Sequence, residues 1–369
     1  MSRLTSRAAL VREPGHVELV EVELCDPHRA EVEVEIAATG ICHSDLSMLD
    51  GALGLPLPAV LGHEAAGVVR RVGADVRHVS PGDRVVLSCM APCGSCFYCV
   101  RGQFSLCEVA GPAMGGGTLL DGTTRISHQG APVRQAAGLG TFAERCVVPG
   151  HAVLGLPDAV PFDQGALLGC AVLTGFGAAV NAAEVVPGES VVVLGCGGVG
   201  LSAVQGAVLA GAGEVIAVDP RADRRDLALG LGAARVLDPA EDLIRAVRGL
   251  TSGRGADVAI EAAGVQPTVD AALSVARPGG RVVLVGAGTP SVKFATSAFL
   301  GLVHTEKQVR GSLYGSAHPR HTIERLLAAY ASGALVLGDV VGRRFTFDDL
   351  PEAVEHSRSG RGGRTVVTF

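Results

Sequence analysis

The chain has 369 residues, of which 48% are apolar and 18% are charged, and its formal net charge is −6. That length exceeds one ordinary hydrophobic core, so two domains are expected. The composition is typical of a globular protein, and the acidic balance argues against a nucleic-acid-binding protein, which normally carries a basic face.

The sequence also contains information about the cellular compartment. Residues 1–16 (MSRLTSRAALVREPGH) lack the apolar run of a signal peptide. No window approaches the roughly 18 uninterrupted apolar residues of a membrane span. These features predict a cytoplasmic protein with no membrane partner. In a reducing compartment, clustered cysteines bind metal more often than they form disulfides.

The first part of the chain has the pattern of β-strands. Residues 17–24 (VELVEVEL) and 31–40 (EVEVEIAATG) alternate apolar and charged side chains, as half-buried strands do. The glycine-rich residues 108–140 show no such pattern. The sequence predicts a long surface loop there, which is uncommon in compact domains and often functional.

Four of the ten cysteines lie close together in CGSCFYCVRGQFSLC, with the spacing C-x2-C-x2-C-x7-C. They are Cys93, Cys96, Cys99 and Cys107. Four thiolates suit a closed tetrahedral zinc site with no open position, which is a structural arrangement. An iron–sulfur cluster is the main alternative, and a redox pair of thiols is the next.

The pattern changes from about residue 190. Short apolar stretches alternate with helical stretches, which predicts a parallel, doubly wound sheet. The predicted strands are 191–195, 214–219, 256–264 and 281–288, and the helical stretches include 199–211 and 222–232. A predicted helix at 319–332 and a terminal strand at 364–369 depart from this alternation.

A G-x-G-x-x-G motif follows the first of these strands and opens a helix. It comprises Gly195, Cys196, Gly197, Gly198, Val199 and Gly200. The first glycine permits a tight turn, the second lets a pyrophosphate approach the backbone, and the last allows close helix–strand packing. The helix N-terminus supplies N–H donors to the phosphates. In this context the motif predicts a dinucleotide site.

An acidic residue ends the next strand. Asp219 lies 19 positions beyond Gly200, where a carboxylate accepts hydrogen bonds from the adenosine ribose. A carboxylate repels a 2′-phosphate, so NAD(H) is favoured over NADP(H). Arg221 and Arg224 lie close by and keep NADP(H) open as an alternative.

A second set of metal-ligating residues is dispersed along the chain. Cys42 lies in GICHSD, His63 and Glu64 in LGHEAAG, and Cys170 in LLGCAVLTGFG. Two thiolates and an imidazole make a three-ligand zinc site with one vacant position. Spacing alone does not identify this set. A cysteine in an apolar run is usually a small buried residue, and a lone histidine is more often structural.

Several segments together, in this order, resemble the zinc-dependent medium-chain alcohol dehydrogenases: GICHSD, GHEAAGVV, the four-cysteine cluster, LLGCAVLTGFGA, VVVLGCGGVG with Asp219, and GGRTVVTF. Residues 108–140, with DGTTR, look like the branch that holds the liver-type enzymes and the glutathione-dependent formaldehyde dehydrogenases. The resemblance implies an α/β protein. A GroES-like β-rich catalytic domain would comprise residues 1–171 and 315–369, and a Rossmann coenzyme domain 172–314.

The resemblance also implies roles around the metal. Cys42, His63 and Cys170 would bind the catalytic zinc ion, and the four clustered cysteines a structural one. Glu64 would be a transient ligand or a close neighbour of the ligands. Asp45 would orient His63. About two zinc ions per chain are therefore expected.

The resemblance also implies which residues take part in proton transfer and coenzyme binding. Ser44 would hydrogen-bond the substrate hydroxyl, and Ser47 lies where many relatives have a histidine that ends the proton relay. Serine is a poor base near pH 7, so water or His43 is the expected proton acceptor. His43 and Arg364 match positions that contact the coenzyme pyrophosphate, and Arg224 is a further candidate coenzyme contact.

The implied activity is reversible hydride transfer between NAD(H) and a primary alcohol or aldehyde, with bulky and aromatic alcohols included. Leu53 lies where the glutathione-dependent branch has an aspartate, and 108–124 holds no arginine, which argues against a glutathione adduct. Cys89 replaces an aromatic residue and leaves room in the pocket.

Three alternatives remain open. The first is a formaldehyde dehydrogenase that uses another thiol adduct, and the second is a pathway-specific biosynthetic oxidoreductase. The third is a nucleotide-binding structural or regulatory protein, which the intact Cys42, His63 and Cys170 set argues against. The family implies a homodimer or homotetramer joined through the Rossmann sheet, with 282–288 as the expected edge.

Overall fold

The computed structural model describes residues 4–369. The N-terminal part is rich in strands, as the alternating patterns predict. Its elements in chain order are β1 (Leu4–Val11), β2 (Glu18–Leu24), β3 (Glu31–Gly40), α1 (His43–Leu49), β4 (Ala59–Val60), β5 (Glu64–Val72), β6 (Arg84–Leu87), α2 (Ala110–Gly116), β7 (Ile126–His128), β8 (Ala131–Gln135), β9 (Arg145–Pro149) and β10 (Val153–Gly155).

The remaining elements carry the helix–strand alternation and the return of the chain. They are α3 (Phe162–Leu167), α4 (Leu173–Gly177), β11 (Ser190–Leu194), α5 (Gly198–Leu209), β12 (Glu214–Val218), α6 (Ala222–Gly230), β13 (Arg235–Leu237), α7 (Leu243–Leu250), β14 (Ala256–Glu261), α8 (Gln266–Val275), β15 (Ala276–Leu284), β16 (Gln308–Gly311), α9 (Pro319–Ala331), β17 (Val341–Thr346), α10 (Leu350–Ser359) and β18 (Arg364–Thr368).

Two sheets build the β-rich part. Strands β1, β2, β7, β8 and β4 form a closed barrel, and a seven-stranded sheet has the order β10-β6-β5-β3-β18-β17, with β9 also paired to β3. Because β17 and β18 come from the C-terminal end of the chain, both chain ends contribute to this sheet. The arrangement is that of a GroES-like domain.

The prediction of a long surface loop over 108–140 is wrong. This segment contains α2 and a hairpin of β7 and β8 that completes the barrel. The hairpin turns through Gln129 and Gly130, whose φ angles are 52° and 80°. Two positive φ angles are typical of a type I′ turn, whose usual sequence signal is Asn-Gly or Asp-Gly. The Gln-Gly pair here lacks that signal, so the hairpin was not predicted.

A buried arginine fixes the same segment to the barrel. The Arg125 guanidinium donates hydrogen bonds to Glu31 Oε2 at 2.8 Å, to Asp121 Oδ2 at 2.6 Å and to His28 Nδ1 at 2.8 Å. These three acceptors lie close enough together to hold a metal ion. Because the guanidinium already supplies the positive charge, the group is a structural ion-pair cluster.

A separate parallel sheet forms the core of the second part of the chain. Its six strands have the order β13-β12-β11-β14-β15-β16, and every neighbouring pair is parallel. This is the Rossmann arrangement, in which the order of the strands reverses between β11 and β14. Ligands bind beyond the carboxyl ends of the strands at such a point. The glycine motif follows β11 directly.

The expectation that 282–288 forms the sheet edge is wrong. Strand β15 pairs with β14 on one side and with β16 on the other. The edge is therefore β16. Its sequence, QVRG, is too short and too polar to give a clear strand signal.

One continuous helix joins the two parts of the chain. It runs from Phe162 to Ala182, and its length and apolar composition alone would allow it to cross a membrane. However, 83% of its most apolar window is buried inside the protein, which is the pattern of a core helix. The helix contains α3, α4 and two π turns, one of them at Leu168–Val172.

Candidate active site and metal centres

The dispersed ligand candidates meet at one place. The ligand atoms of Cys42, His63, Glu64 and Cys170 all lie within 4.8 Å of one another. Cys42 precedes α1, His63 precedes β5, and Cys170 lies in the π turn of the long helix. π turns are often found at functional sites because they redirect a side chain. Three separate chain segments therefore build this cluster.

Asp45 organises the cluster. Its carboxylate accepts hydrogen bonds from the backbone N–H of Cys42 at 2.9 Å and of Gly62 at 3.1 Å. Its Oδ1 atom also lies 2.9 Å from His63 Nδ1. An imidazole that donates from Nδ1 has its Nε2 lone pair free for a metal ion. The geometry is that of a buried carboxylate that orients a metal-binding histidine.

The two thiols influence each other directly. A hydrogen bond from Cys170 lowers the pKa of the Cys42 thiol well below its usual value. The same contact raises the pKa of Cys170. The two sulfur atoms therefore lie within hydrogen-bonding distance of each other. The donor set of two sulfurs and one imidazole fits a zinc ion, which would bind both sulfurs as thiolates.

Glu64 and Arg364 lie beside the cluster. Among residues 4–369, the carboxylate oxygens of Glu64 accept no hydrogen bond, although Oε1 lies 3.2 Å from Nη2 of Arg364. Burial raises the pKa of Glu64 to about 7, and the Arg364 charge opposes this rise. A buried carboxylate with unsatisfied oxygens is suited to approach a cation.

Arg364 also reaches the glycine motif. A Cβ atom placed on Gly198 would lie only 3.0 Å from Nε and from Nη2 of Arg364. The guanidinium therefore packs on the first turn of α5 and contacts the ligand cluster through Glu64. Its Nη1 atom donates a hydrogen bond to the carbonyl oxygen of Ile41 at 3.3 Å. Arg364 thus lies between the ligand cluster and the start of α5.

The glycine motif has an open face. Gly195 has a φ of 95°, which a β-branched or bulky residue rarely adopts. A Cβ atom on Gly197 would meet nothing within 4 Å, so the backbone there is free to be approached by a ligand. Helix α5 begins at Gly198 and Val199 with its N–H groups at this face. The arrangement suits a pyrophosphate.

Asp219 is bound to this loop. Its carboxylate accepts the backbone N–H of Cys196 at 2.8 Å and that of Arg221 at 2.9 Å. Each oxygen keeps a second lone pair for a ribose hydroxyl. Arg221 pairs with Asp223 through two contacts of 3.1 Å, while Nη1 of Arg224 lies 3.8 Å from Asp219. The nearby arginines are therefore engaged with carboxylates.

Three other predicted residues lie on α1. Ser44 Oγ is 3.7 Å from Cys42 Sγ, so Ser44 reaches the cluster. In the described part of the chain, the side chains of His43 and Ser47 make no hydrogen bond to it. His43 is exposed, and its charge helps to lower the pKa of Asp50, after the larger effect of Arg358. The structure brings Ser44 to the site, but not His43 or Ser47.

The four clustered cysteines also converge. The sulfur atoms of Cys93, Cys96, Cys99 and Cys107 lie within 4.8 Å of one another. Cys107 Sγ accepts the backbone N–H groups of Cys93 at 3.3 Å and Ala110 at 3.4 Å. Such N–H···S contacts stabilise thiolate charge. Four sulfurs around one point leave no open position, which fits a closed zinc site.

Sequence reasoning missed one residue near the catalytic cluster. Tyr314 is buried, and its hydroxyl contacts the carbonyl oxygen of Gly169, the residue before Cys170. The hydroxyl also lies 2.9 Å from Ser88 Oγ. Tyr314 lies in a short segment after the polar strand β16, and nothing in the local sequence indicates that it contacts the peptide next to Cys170.

Two family models match the chain. Residues 28–158 match the alcohol dehydrogenase GroES-like domain, and residues 198–332 match the zinc-binding dehydrogenase domain. The two matches correspond to the β-rich part and the parallel-sheet part of the fold.

Whole-chain comparisons agree. The chain is 39% identical to the NDMA-dependent alcohol dehydrogenase of Amycolatopsis methanolica, with 99% of each chain covered. It is 37% identical to the geraniol dehydrogenase of Castellaniella defragrans, over 99% of this chain and 98% of the other. The crystal structure of benzyl alcohol dehydrogenase from Acinetobacter calcoaceticus superposes with a TM-score of 0.93, at 30% identity and 99% coverage of both chains. This chain belongs to the zinc-dependent medium-chain alcohol dehydrogenase family and is an NAD(P)-linked oxidoreductase.

Proposed function

We propose that this enzyme interconverts primary alcohols and aldehydes, including bulky and aromatic ones, with NAD(H). The observation that carries the proposal is the meeting of two sites. Cys42, His63 and Cys170 form an open donor set, and Arg364 links that set to the glycine motif. A reacting carbon and a nicotinamide placed between them would be held close, which is the main requirement for hydride transfer.

The roles of the side chains follow from their contacts. A zinc ion bound by Cys42, His63 and Cys170 would supply a Lewis acid that makes a bound alcohol acidic near neutral pH. Asp45 holds the imidazole of His63 in the metal-binding orientation. Ser44 lies beside the cluster and would take the hydrogen bond of the substrate hydroxyl. The terminal proton acceptor is water in this proposal, because neither His43 nor Ser47 contacts the cluster.

The proposed substrate class rests on one small side chain beside the ligand cluster and on the relatives. Cys89 is a small side chain whose thiol contacts Cys170, at a position where the resemblance to the family implies an aromatic residue. The relatives that match over the whole chain include enzymes described as acting on geraniol and benzyl alcohol. A large unsaturated or aromatic group on the carbinol carbon is therefore the proposed substrate feature.

We expect benzyl alcohol and geraniol to give a higher kcat/KM than ethanol, by at least about tenfold, because burial of a larger apolar group stabilises the bound state. The test is an alcohol and aldehyde panel with NAD, with NADP and with NDMA as electron acceptor. A parallel series with formaldehyde and added thiols tests the thiol-adduct alternative. A preference for ethanol, or activity with formaldehyde that depends on a thiol, would contradict the proposal.

Asp219 underlies the proposed preference for NAD(H). We expect Asp219→Gly to move the ratio of kcat/KM for NAD over NADP towards NADP by about ten- to a hundredfold, since the carboxylate no longer repels a 2′-phosphate and Arg224 is released. Asp226→Gly is the matched control, because it removes an exposed acid from the following helix α6 and leaves the pairs Arg221–Asp223 and Arg224–Asp219 in place. An unchanged ratio in Asp219→Gly would remove Asp219 from the proposed ribose site.

Three further features belong to the proposal. We assign residues 1–171 and 315–369 to the catalytic domain and 172–314 to the coenzyme domain, although the first boundary falls inside the continuous helix. Among residues 4–369 the cysteines form no disulfide, which supports the proposed reducing compartment, the cytoplasm. A homodimer or homotetramer is supported by the edge strand β16 and by the exposed side chains of Phe299, Leu300 and Val303. Light scattering against the chain mass of 37.4 kDa measures the oligomer.

A further inference from the structure

Tyr314 has an unusual backbone conformation for a buried aromatic residue. Its φ is 53°, in the left-handed region, and its side chain is only 6% exposed. Non-glycine residues adopt this conformation only when their surroundings hold them there, and they are most common at functional sites. The placement of this ring therefore depends on specific contacts.

The phenol hydroxyl joins two chain segments that flank the catalytic cluster. It donates a hydrogen bond to the carbonyl oxygen of Gly169, which precedes the ligand Cys170. It also lies 2.9 Å from Ser88 Oγ, and Ser88 precedes Cys89. Because the Tyr314 proton goes to Gly169, the Ser88 hydroxyl is the donor to the Tyr314 oxygen, and the carbonyl oxygen of Met90, 2.8 Å from Ser88 Oγ, is its alternative acceptor. One hydroxyl thus connects the loop after β6 with the π turn.

The π turn is a second local departure from regular geometry. Such turns occur mostly as single turns inside α-helices, frequently at functional sites. Gly169 lies tightly against the carbonyl oxygen of Leu87, and a Cβ atom there would collide with it. The Gly169 peptide is therefore fixed on one side by packing and on the other by the Tyr314 hydroxyl.

The segment that carries Tyr314 is itself anchored. The carbonyl oxygen of Gly315 accepts a hydrogen bond from Asn181 Nδ2 at 3.1 Å. The ring of His318 packs edge-on against Phe104, in the cysteine-rich segment, with ring centroids 4.2 Å apart. The tyrosine is therefore held by both the long helix and the four-cysteine lobe, which defines where its hydroxyl lies.

From these contacts we propose that Tyr314 is a positioning residue for the catalytic metal site. Its hydroxyl fixes the Gly169 peptide, and that peptide sets the direction of the Cys170 thiolate toward Cys42 and His63. The inference rests on the proposed function, because it takes Cys170 as a zinc ligand.

The direct test is Tyr314→Phe, which keeps the ring and its burial but removes the hydroxyl. We expect zinc to leave the catalytic site about tenfold faster when a coloured chelator competes for it. Mutation of residues that hold a metal ligand in place typically lowers metal affinity by about 10–100-fold. Release from the four-cysteine site should not change. In protein loaded with Co²⁺, the thiolate-to-cobalt absorption band should shift, since the sulfur geometry changes.

Tyr330→Phe is the matched control. Tyr330 also has a hydrogen-bonded hydroxyl, 3.3 Å from Gln164 Oε1, but it does not contact the cluster. We expect wild-type zinc release and a wild-type cobalt spectrum from this variant. A purely structural role for Tyr314 would lower the thermal midpoints of the zinc-free and zinc-loaded proteins equally. A positioning role instead reduces the stabilisation that zinc adds.

Ser88→Ala provides a second test in case Tyr314→Phe does not fold. This variant removes the contact of the Tyr314 hydroxyl with Ser88 but keeps its hydrogen bond to Gly169, so we expect zinc release to be only about threefold faster. Wild-type release and a wild-type cobalt spectrum in Tyr314→Phe, or in Ser88→Ala if the first variant does not fold, would overturn the inference. A wild-type protein that binds only about one zinc ion would instead contradict the proposed function.

Discussion

The Cys170→Ala protein is expected to lose turnover while it keeps its affinity for NAD. Cys170 Sγ belongs to the proposed catalytic cluster, whereas the proposed coenzyme contacts come from the glycine motif and Asp219, on separate elements. Without one of three ligands the catalytic zinc ion should be lost, and zinc content should fall from about two to about one per chain. A loss of about 4 kcal/mol of metal-based transition-state stabilisation corresponds to about a thousandfold in rate.

Three measurements check this result: steady-state rate, zinc by elemental analysis, and NAD binding by calorimetry. Cys146→Ala is the matched control, because Cys146 is a fully buried thiol in β9 that belongs to neither cysteine cluster. We expect this control to keep both zinc ions and its activity. If Cys170→Ala retained wild-type activity, Cys170 would not be a ligand of the catalytic metal.

Local patterns explain which parts of the fold were predictable. The strand predicted at 31–40 coincides with β3, and the strands and helices around the glycine motif lie within a few residues of their predicted positions. In each case the signal lies in consecutive residues: alternation in a half-buried strand, or an apolar run followed by glycines. The helix predicted at 319–332 coincides with α9 for the same reason.

The catalytic cluster was different, because its members lie far apart in sequence. Nothing in the local pattern of Cys170 distinguishes it from an ordinary buried cysteine, and only the resemblance placed it with Cys42 and His63. The structure adds what no motif contains: a π turn at Cys170 and a tyrosine that contacts the adjacent peptide. Both depend on tertiary packing, which is why neither was predicted.

The position of Arg364 shows how register connects the two sites. Strand β18 pairs with β3, so the N–H of Ile41 donates to the carbonyl oxygen of Thr365 at 2.9 Å. This pairing places Arg364 beside the start of α1 and against Gly198. A shift of one residue would turn the guanidinium to the opposite face of the sheet. The contacts of Arg364 with Glu64 and with Gly198 therefore depend on a strand from the C-terminal end of the chain.

The second large effect is expected at the four-cysteine site. Cys107→Ala removes the sulfur that accepts two backbone N–H groups, from Cys93 and Ala110, and leaves three thiolates. Structural zinc ions in small domains are bound with about 10–16 kcal/mol, and that energy holds the surrounding chain in place. We expect loss of about one zinc ion per chain and local unfolding of residues 93–107, detected as rapid proteolysis there.

The damage should also reach the catalytic site. Phe104 packs on His318, four residues after Tyr314, so unfolding of the lobe removes one anchor of the tyrosine. The catalytic zinc ion should then dissociate faster in Cys107→Ala, although its own three ligands are intact. Cys25→Ala, which changes an exposed thiol outside both clusters, should behave as wild type in every measurement. An unchanged zinc content in Cys107→Ala would contradict the structural site, whereas loss of one ion with wild-type release of the other would show that the lobe does not support the catalytic cluster.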